Sequence, residues 1–321
     1  MAENSKIEWC DHSASPWHGC TKVSDGCDHC YAATFSVRNP SVLGIWGDDG
    51  KRVKSKSFIA NLKRWNAEAK QKGKAVTVFP SLCDPFEDRP ELVEWRNEMF
   101  TVVDTLPWIR LLLLTKRPEN ILRMWPETMC RFCGTATCGA HRSGCFDRTY
   151  RDNVLLGTSV ENQKVANERI PHLLACMDLA RGTFLSCEPL LGPIEFSNVS
   201  QRSDWKERLG RKSLDGIDQV IVGGESGPNA RPMHPDWART IRDQCEAANV
   251  AFMFKQWGAW APCLNFDPEE FADIRMDLEG RDVTELPGLH AETDEFMDRV
   301  GKKQAGRLLD GVQHDGFPKC L

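Results

Sequence analysis

The chain has 321 residues, 41% of them hydrophobic and 27% charged, with a net charge of −5. That is the composition of an ordinary soluble protein with room for one large core or two modest ones. Its acidity argues against a protein that coats nucleic acid indiscriminately, and its longest apolar run, Ile109 to Leu114 with Arg110 inside it, is far below the ~20 residues of a membrane helix. The first residues lack the charged and apolar regions of a signal peptide, so a cytoplasmic protein with no membrane role is expected. Fourteen cysteines in a reducing compartment point to metal ligands rather than disulfides.

Ile7–Cys10 reads as an opening strand. Behind it comes Trp17-His18-Gly19-Cys20, six further residues, then Cys27-Asp28-His29-Cys30-Tyr31-Ala32. Three thiolates on a short loop can hold three irons of a [4Fe–4S] cube and leave the fourth iron open for chemistry. The spacing equally fits a zinc knuckle completed by a remote ligand such as His18, or three unrelated thiols. Between Lys51 and Lys74 stand nine basic residues and one acid, Glu68. Such a segment could meet phosphates, or it could be the solvated face of a helix.

From there one phrase repeats. Short runs rich in Val, Ile, Leu and Phe fall at Ala75–Pro80, Ile109–Leu114, Val154–Thr158, Thr183–Cys187, Gln219–Gly223 and Val250–Phe254, almost without polar alternation. That pattern describes strands buried on both faces of a parallel sheet. Helical periodicity occupies Glu91–Val103, Pro118–Met124, Gln163–Ala175 and Pro235–Ala248. The expected fold is α/β, a partial (β/α)6-type barrel with a seventh strand, since no Gly-rich dinucleotide fingerprint follows any strand. The strand ends are polar: Ser81-Leu82-Cys83-Asp84-Pro85, Thr115-Lys116-Arg117, Ser159-Val160-Glu161-Asn162, Ser186-Cys187-Glu188, Gly224-Glu225-Ser226 and Lys255-Gln256-Trp257. Six in succession would line one active-site mouth.

Two regions break the pattern. Residues 129–150 carry Cys130, Cys133, Cys138 and Cys145, four cysteines within 16 residues. A structural Zn2+ is the first reading, an auxiliary iron–sulfur cluster the second, and unliganded thiols the third. The expected organisation is therefore a barrel over 1–260, with this metal loop inserted, and a loosely packed C-terminal extension over 261–321.

Together these residues resemble the radical SAM superfamily, whose members place a cluster-binding loop after the first strand of a partial barrel. The superfamily's commonest loop has cysteine gaps of three and two, whereas here they are six and two. The wider context, Trp9, Trp17-His18-Gly19-Cys20, Ser24-Asp25-Gly26-Cys27 and Cys30-Tyr31-Ala32, is similar to a phage-borne three-cysteine branch. The similarity continues through Asp84-Pro85-Phe86, Thr115-Lys116-Arg117-Pro118, Ser159-Val160-Glu161-Asn162, Gly223-Gly224-Glu225-Ser226, Gly301-Lys302-Lys303 and Gly306-Arg307-Leu308-Leu309-Asp310-Gly311. The resemblance implies a [4Fe–4S] cluster on Cys20, Cys27 and Cys30, with S-adenosyl-L-methionine chelated at the open iron. It also implies an electron donor of flavodoxin or ferredoxin type.

The cofactor's needs suggest roles for the rim. Ser81 and Asp84 could accept from the methionyl ammonium, since similar segments lie near the methionine moiety in DNA-lesion lyases of the superfamily; Asp84 could equally be a helix cap. Thr115, Lys116 and Arg117 could donate to a carboxylate or phosphate, and Ser159, Glu161 and Asn162 could meet ribose hydroxyls. Gly223-Gly224-Glu225 looks like the superfamily's Gly-Gly-Glu element but follows the sixth strand instead of the second, so Glu225 is read as a substrate contact or rim acid. Lys255 is either a substrate-binding cation or a snorkelling lysine. Cys187 could give a hydrogen atom to a product radical, or be a small hydrophobe. The leading expectation is an enzyme that modifies, rearranges or repairs a nucleobase or nucleotide, of the kind found in phage DNA with hypermodified thymidine. The alternatives are a peptide-modifying enzyme with an auxiliary cluster and a non-catalytic zinc protein that binds nucleic acid or a partner.

Overall fold

The computed structural model describes residues 3–126, 150–199, 214–263, 272–284 and 293–321. Seven parallel strands form one sheet in sequential order: β1 (His12–Ser13), β2 (Val76–Phe79), β3 (Ile109–Thr115), β4 (Arg151–Ser159), β5 (Ala180–Cys187), β6 (Gln219–Gly223) and β7 (Ala251–Gln256). A parallel sheet that adds each strand beside the last, by crossovers of one hand, keeps its helices on one face and curls away from them. The result is a partial barrel. The helices that matter for the mouth are α1 (Tyr31–Val37), α2 (Phe58–Lys72), α3 (Pro90–Val103), α4 (Gln163–Leu174) and α5 (Pro235–Ala248). The expected helix at Pro118–Met124 is a 3-10 turn, Pro118–Asn120, followed by a single α-turn, Ile121–Met124.

The two faces divide the strand residues by parity, because successive side chains point to opposite sides. Phe79, Leu112, Leu155, Phe184, Ile221 and Met253 form a small concave cluster, one residue per strand from β2 to β7. Their neighbours, such as Leu111, Leu113, Val220, Val222, Phe252 and Phe254, join the large cluster under the helices. That double burial is why the runs read as continuously apolar.

The opening strand lies at His12–Ser13, two residues beyond the expected Ile7–Cys10. Ile7–Cys10 instead forms a turn closed by the Cys10 N–H on the Ile7 carbonyl, 3.2 Å. Its apolar residues belong to a plug rather than to the sheet. Trp9 is 3% exposed and packs 4.3 Å from the Phe79 ring and 5.7 Å from Phe184, sealing the concave face.

The C-terminal extension is integrated with the barrel. Ala261–Pro262, Glu295–Asp298 and Ile274–Met276 form a small antiparallel sheet. Met276, Met297 and Leu309 enter the main apolar cluster. The last segment then covers the free edge of β7. The Phe254 N–H donates to the His314 carbonyl at 3.0 Å and the Gly316 N–H to the Phe252 carbonyl at 2.9 Å. An edge strand left bare would present unpaired backbone groups to other chains.

The concave face has no spare volume at Gly157 on β4, where a Cβ would stand 2.4 Å from the Phe184 ring. Gly157→Ala should therefore cost about 1–3 kcal/mol in urea unfolding. Phe184→Leu added to it should recover part of that loss, and full additivity of the two would refute this packing.

Candidate active site

A cavity of about 1040 Å³ opens at the C-terminal ends of the strands, and Cys20, Cys27 and Cys30 all border it. Parity orders much of the rim. Ser81, Lys116, Ser159, Ser186, Glu188 and Lys255 continue the inward row and line the cavity. Cys187, one residue out of phase, is fully buried in the outer core. Burial and the neighbouring Cys245 hold its thiol well above the ordinary range.

The cysteine loop is fastened by three buried carboxylates, each on a different strand end. Glu161, 1% exposed, is paired with Lys116 and with Arg169 at 3.0 Å, and accepts from the Ser24 hydroxyl at 2.9 Å. Glu225 accepts from His29 Nδ1 at 3.0 Å and from Arg231 at 2.7 Å, while Arg231 also donates to the Asp25 carbonyl at 2.9 Å. Asp84 accepts from the Phe86 and Lys116 N–H groups, from Thr115 Oγ1 at 2.6 Å and from Arg117 at 2.8 Å. Arg117 in turn reaches the Cys20 sulfur at 3.6 Å and the Thr21 carbonyl at 2.9 Å. Gly26 lies so close to Glu161 that a Cβ there would meet its carboxylate at 2.5 Å. Burial tends to raise the Glu161 carboxyl, yet Lys116 and Arg169 hold it below the usual glutamate range. Glu225 is likewise held low, the pull of Arg231 and His29 overcoming burial.

Without metal, burial and Asp84 push the Cys20 thiol up to about 12 against the opposing pull of Arg117, and burial also raises Cys30. Among the described residues, no three His, Cys, Asp or Glu side chains are placed to hold a single metal ion. A [4Fe–4S] cube asks for something else, one thiolate at each of three separate irons, and three cysteines spread along one loop beside a common cavity suit that donor pattern. His18, the remote ligand considered for zinc, does not line the cavity and donates its Nδ1–H to the Val42 carbonyl at 2.8 Å. Cys130, Cys133, Cys138 and Cys145 lie outside the described residues.

The residues named for the cofactor divide in the same way. Ser81 lines the cavity, with its hydroxyl 2.7 Å from Ser13 Oγ, and Ser159 lines it as well. Thr115 and Lys116 border it too, but they are engaged with Asp84 and Glu161. Asn162 caps α4, its side chain accepting from the Val165 N–H at 3.1 Å, and does not reach the cavity. Lys255 pairs with Glu188 at 2.7 Å inside the mouth, and this partner outweighs burial in raising the ammonium pKa. Sequence reasoning did not find Ser24, His29, Arg169, Arg231 and Glu188 as partners: Ser24, His29 and Glu188 meet their counterparts across the fold, while Arg169 and Arg231 fold back onto carboxylates eight and six residues away.

Three of the nine cations of the basic segment are paired with acids. Arg52 is buried on Glu87, Lys54 pairs with Glu98 at 2.6 Å, and Arg64 pairs with Glu3 and Glu68. Lys70 and Lys72 ride the far end of the 15-residue α2, about 20 Å from its start.

The chain belongs to the family described as Protein of unknown function (DUF5131), whose model matches residues 4–318. No curated protein matches it. Among solved structures it is similar to spore photoproduct lyase complexed with dinucleoside spore photoproduct, at 13% identity over 75% of this chain and 62% of that one, with a TM-score of 0.38. A single mutant of that lyase matches at 14% identity over 68% and 57%, TM-score 0.41. A double mutant with bound AdoMet and dinucleoside spore photoproduct matches at 12% over 67% and 56%, TM-score 0.37. The chain spans less than two thirds of the length of these proteins.

Gly26→Ala should displace Glu161 and loosen the loop, seen as several-fold faster alkylation of Cys27 and Cys30 with an unchanged far-UV circular dichroism spectrum; equal alkylation rates would refute the contact. The clamp should also depend on pH. Both carboxyls titrate below the unfolded glutamate value of about 4.3, so their contribution is complete above it and is lost as pH falls through the depressed folded values. Hydrogen exchange of residues 20–31, corrected for intrinsic rate, should accelerate as pH falls below about 4.3, ahead of global unfolding.

Proposed function

We propose that this chain is a radical S-adenosylmethionine enzyme acting on a nucleobase or nucleotide. The observation that carries the reading is the three-cysteine loop, held by buried ion pairs against the mouth of a parallel partial barrel and bordering its cavity. Bound there, a [4Fe–4S] cluster with one iron free of protein ligands would supply the electron that cleaves S-adenosylmethionine into methionine and a 5′-deoxyadenosyl radical.

The chain's own residues do the rest. Cys20, Cys27 and Cys30 hold the irons, and the clamp keeps their sulfurs in place. Trp9, Phe79 and Phe184 close the floor, so a reactive species above it meets apolar walls rather than water. Ser81 and Ser159 offer hydroxyls to the cofactor's polar groups. Asp84, Glu161 and Glu225 are spent on the loop, so they act as positioning groups rather than cofactor ligands. Lys255 and Glu188, whose pair holds no part of the loop, are assigned to the substrate.

A nucleotide suits this space on three counts. The volume is at the top of the ~300–1,000 Å³ range of small-molecule pockets, which leaves room beside one nucleoside-sized cofactor for a second molecule. The rings of Tyr31 and Trp46 border it and can stack on a base. Lys6 and Lys302, both exposed on its wall, are placed for phosphates.

Anaerobic reconstitution with iron and sulfide, reduction and addition of S-adenosylmethionine should yield 5′-deoxyadenosine, and Cys27→Ala should abolish it. Failure of the loop to take up an iron–sulfur cluster would overturn the reading. The combined variant Lys6→Ala/Lys302→Ala should keep the cluster but bind a dinucleotide several-fold more weakly, with a shallower salt dependence. Unchanged binding would remove those lysines from the substrate site.

A further inference from the structure

We propose that the Asp84–Arg117 pair sets the reduction potential of the cluster, with Arg117 raising it and Asp84 lowering it. The inference rests on the reading above that Cys20, Cys27 and Cys30 carry a [4Fe–4S] cluster.

Arg117 is 8% exposed and held in one pose by three acceptors. Its guanidinium donates to Asp84 Oδ2 at 2.8 Å, to the Thr21 carbonyl at 2.9 Å and to the Cys20 sulfur at 3.6 Å. Its backbone N–H donates to Thr115 Oγ1 at 2.9 Å, and that hydroxyl donates onward to Asp84. Guanidinium stays protonated, and its planar fork can serve a carboxylate and a sulfur together. Among the described residues no other side chain donates to a sulfur of this loop. One corner of the cluster would thus be hydrogen-bonded to a fixed cation backed by a fixed anion, whereas Lys116, the cation that acts on Cys30, gives its hydrogen bond to Glu161 instead.

The consequence follows from charge. When the cluster accepts one electron, the added negative charge spreads onto its thiolate ligands. A charged donor at one sulfur stabilises the reduced form more than the oxidised form, and so raises the potential. The carboxylate behind it acts with the opposite sign. The low dielectric of a buried site makes both effects larger than they would be in water. Asp84 accepts four hydrogen bonds and Arg117 spans three acceptors, so neither can relax away when the cluster charge changes.

The two residues therefore carry opposite signs, which a merely structural role would not produce. Potentiometric titration followed by electron paramagnetic resonance, on reconstituted protein with equal iron and sulfide content, reads the midpoint directly. Arg117→Gln should disfavour reduction about tenfold, a shift of about 59 mV to lower potential for one electron. Asp84→Asn should move the midpoint the other way, and Arg117→Lys should fall between wild type and Arg117→Gln. If Arg117→Gln fails to fold, Arg117→Lys against Asp84→Asn still gives the sign test. Midpoint shifts below about 18 mV, twofold in the reduction equilibrium, or both variants moving in the same direction, would overturn the proposal while leaving the enzyme reading intact. A wild-type protein that takes up no cluster would overturn both.

Discussion

The arrangement depends on neutralising buried carboxylates. Asp84, Glu161 and Glu225 are each at most 6% exposed, and an unpaired charge at that depth would cost several kcal/mol. Each is satisfied by cations and N–H donors drawn from at least two segments. The partners that complete the sets, Ser24, His29 and the Arg231 contact to Asp25, belong to the cysteine loop or grip it. The loop makes few regular secondary-structure bonds of its own. Glu161 and Glu225 draw part of their pairing from the loop, and Asp84 holds the Arg117 that reaches it, so the loop's position is tied to the pairing of these acids.

The second constraint is strand parity, and much of the fold was legible through it. Apolar runs without alternation announced a sheet covered on both faces, and polar strand ends announced a mouth. Parity also ranks the rim residues. Counting forward by twos from the concave positions Leu155, Phe184 and Met253 places Ser159, Ser186 and Lys255 inward and Cys187 outward. That count needs only one inward residue per strand, and it distinguishes adjacent residues that composition treats alike.

What stayed hidden was long-range. The plug at Ile7–Cys10 has the apolar signature of a strand, and only the ring contacts of Trp9 with Phe79 and Phe184 separate the two. Asn162 and Asp84 both follow strands, yet one is a helix cap and the other is the hub of four hydrogen bonds. The difference lies in whether a cation arrives from elsewhere in the fold, which local sequence does not record. The basic run shows the same limit from the other side. Nine basic residues among 24 suggested either a phosphate surface or a solvated helix face, and pairing with Glu87, Glu98, Glu3 and Glu68 withdraws three of them.

The mouth then separates into two chemical halves. On the loop side Asp84, Glu161 and Glu225 are committed to ion pairs that hold position. Across the cavity, Glu188 and Lys255 pair with each other over Gly223, where a Cβ would stand 2.8 Å from the Glu188 carboxylate. Neither partner fastens the cysteine loop, so this pair can exchange its mutual contact for contacts to an incoming molecule without releasing the thiols. A site that must hold a metal cluster rigidly while admitting a substrate needs this separation, and the chain achieves it by assigning its buried ion pairs to different strand ends.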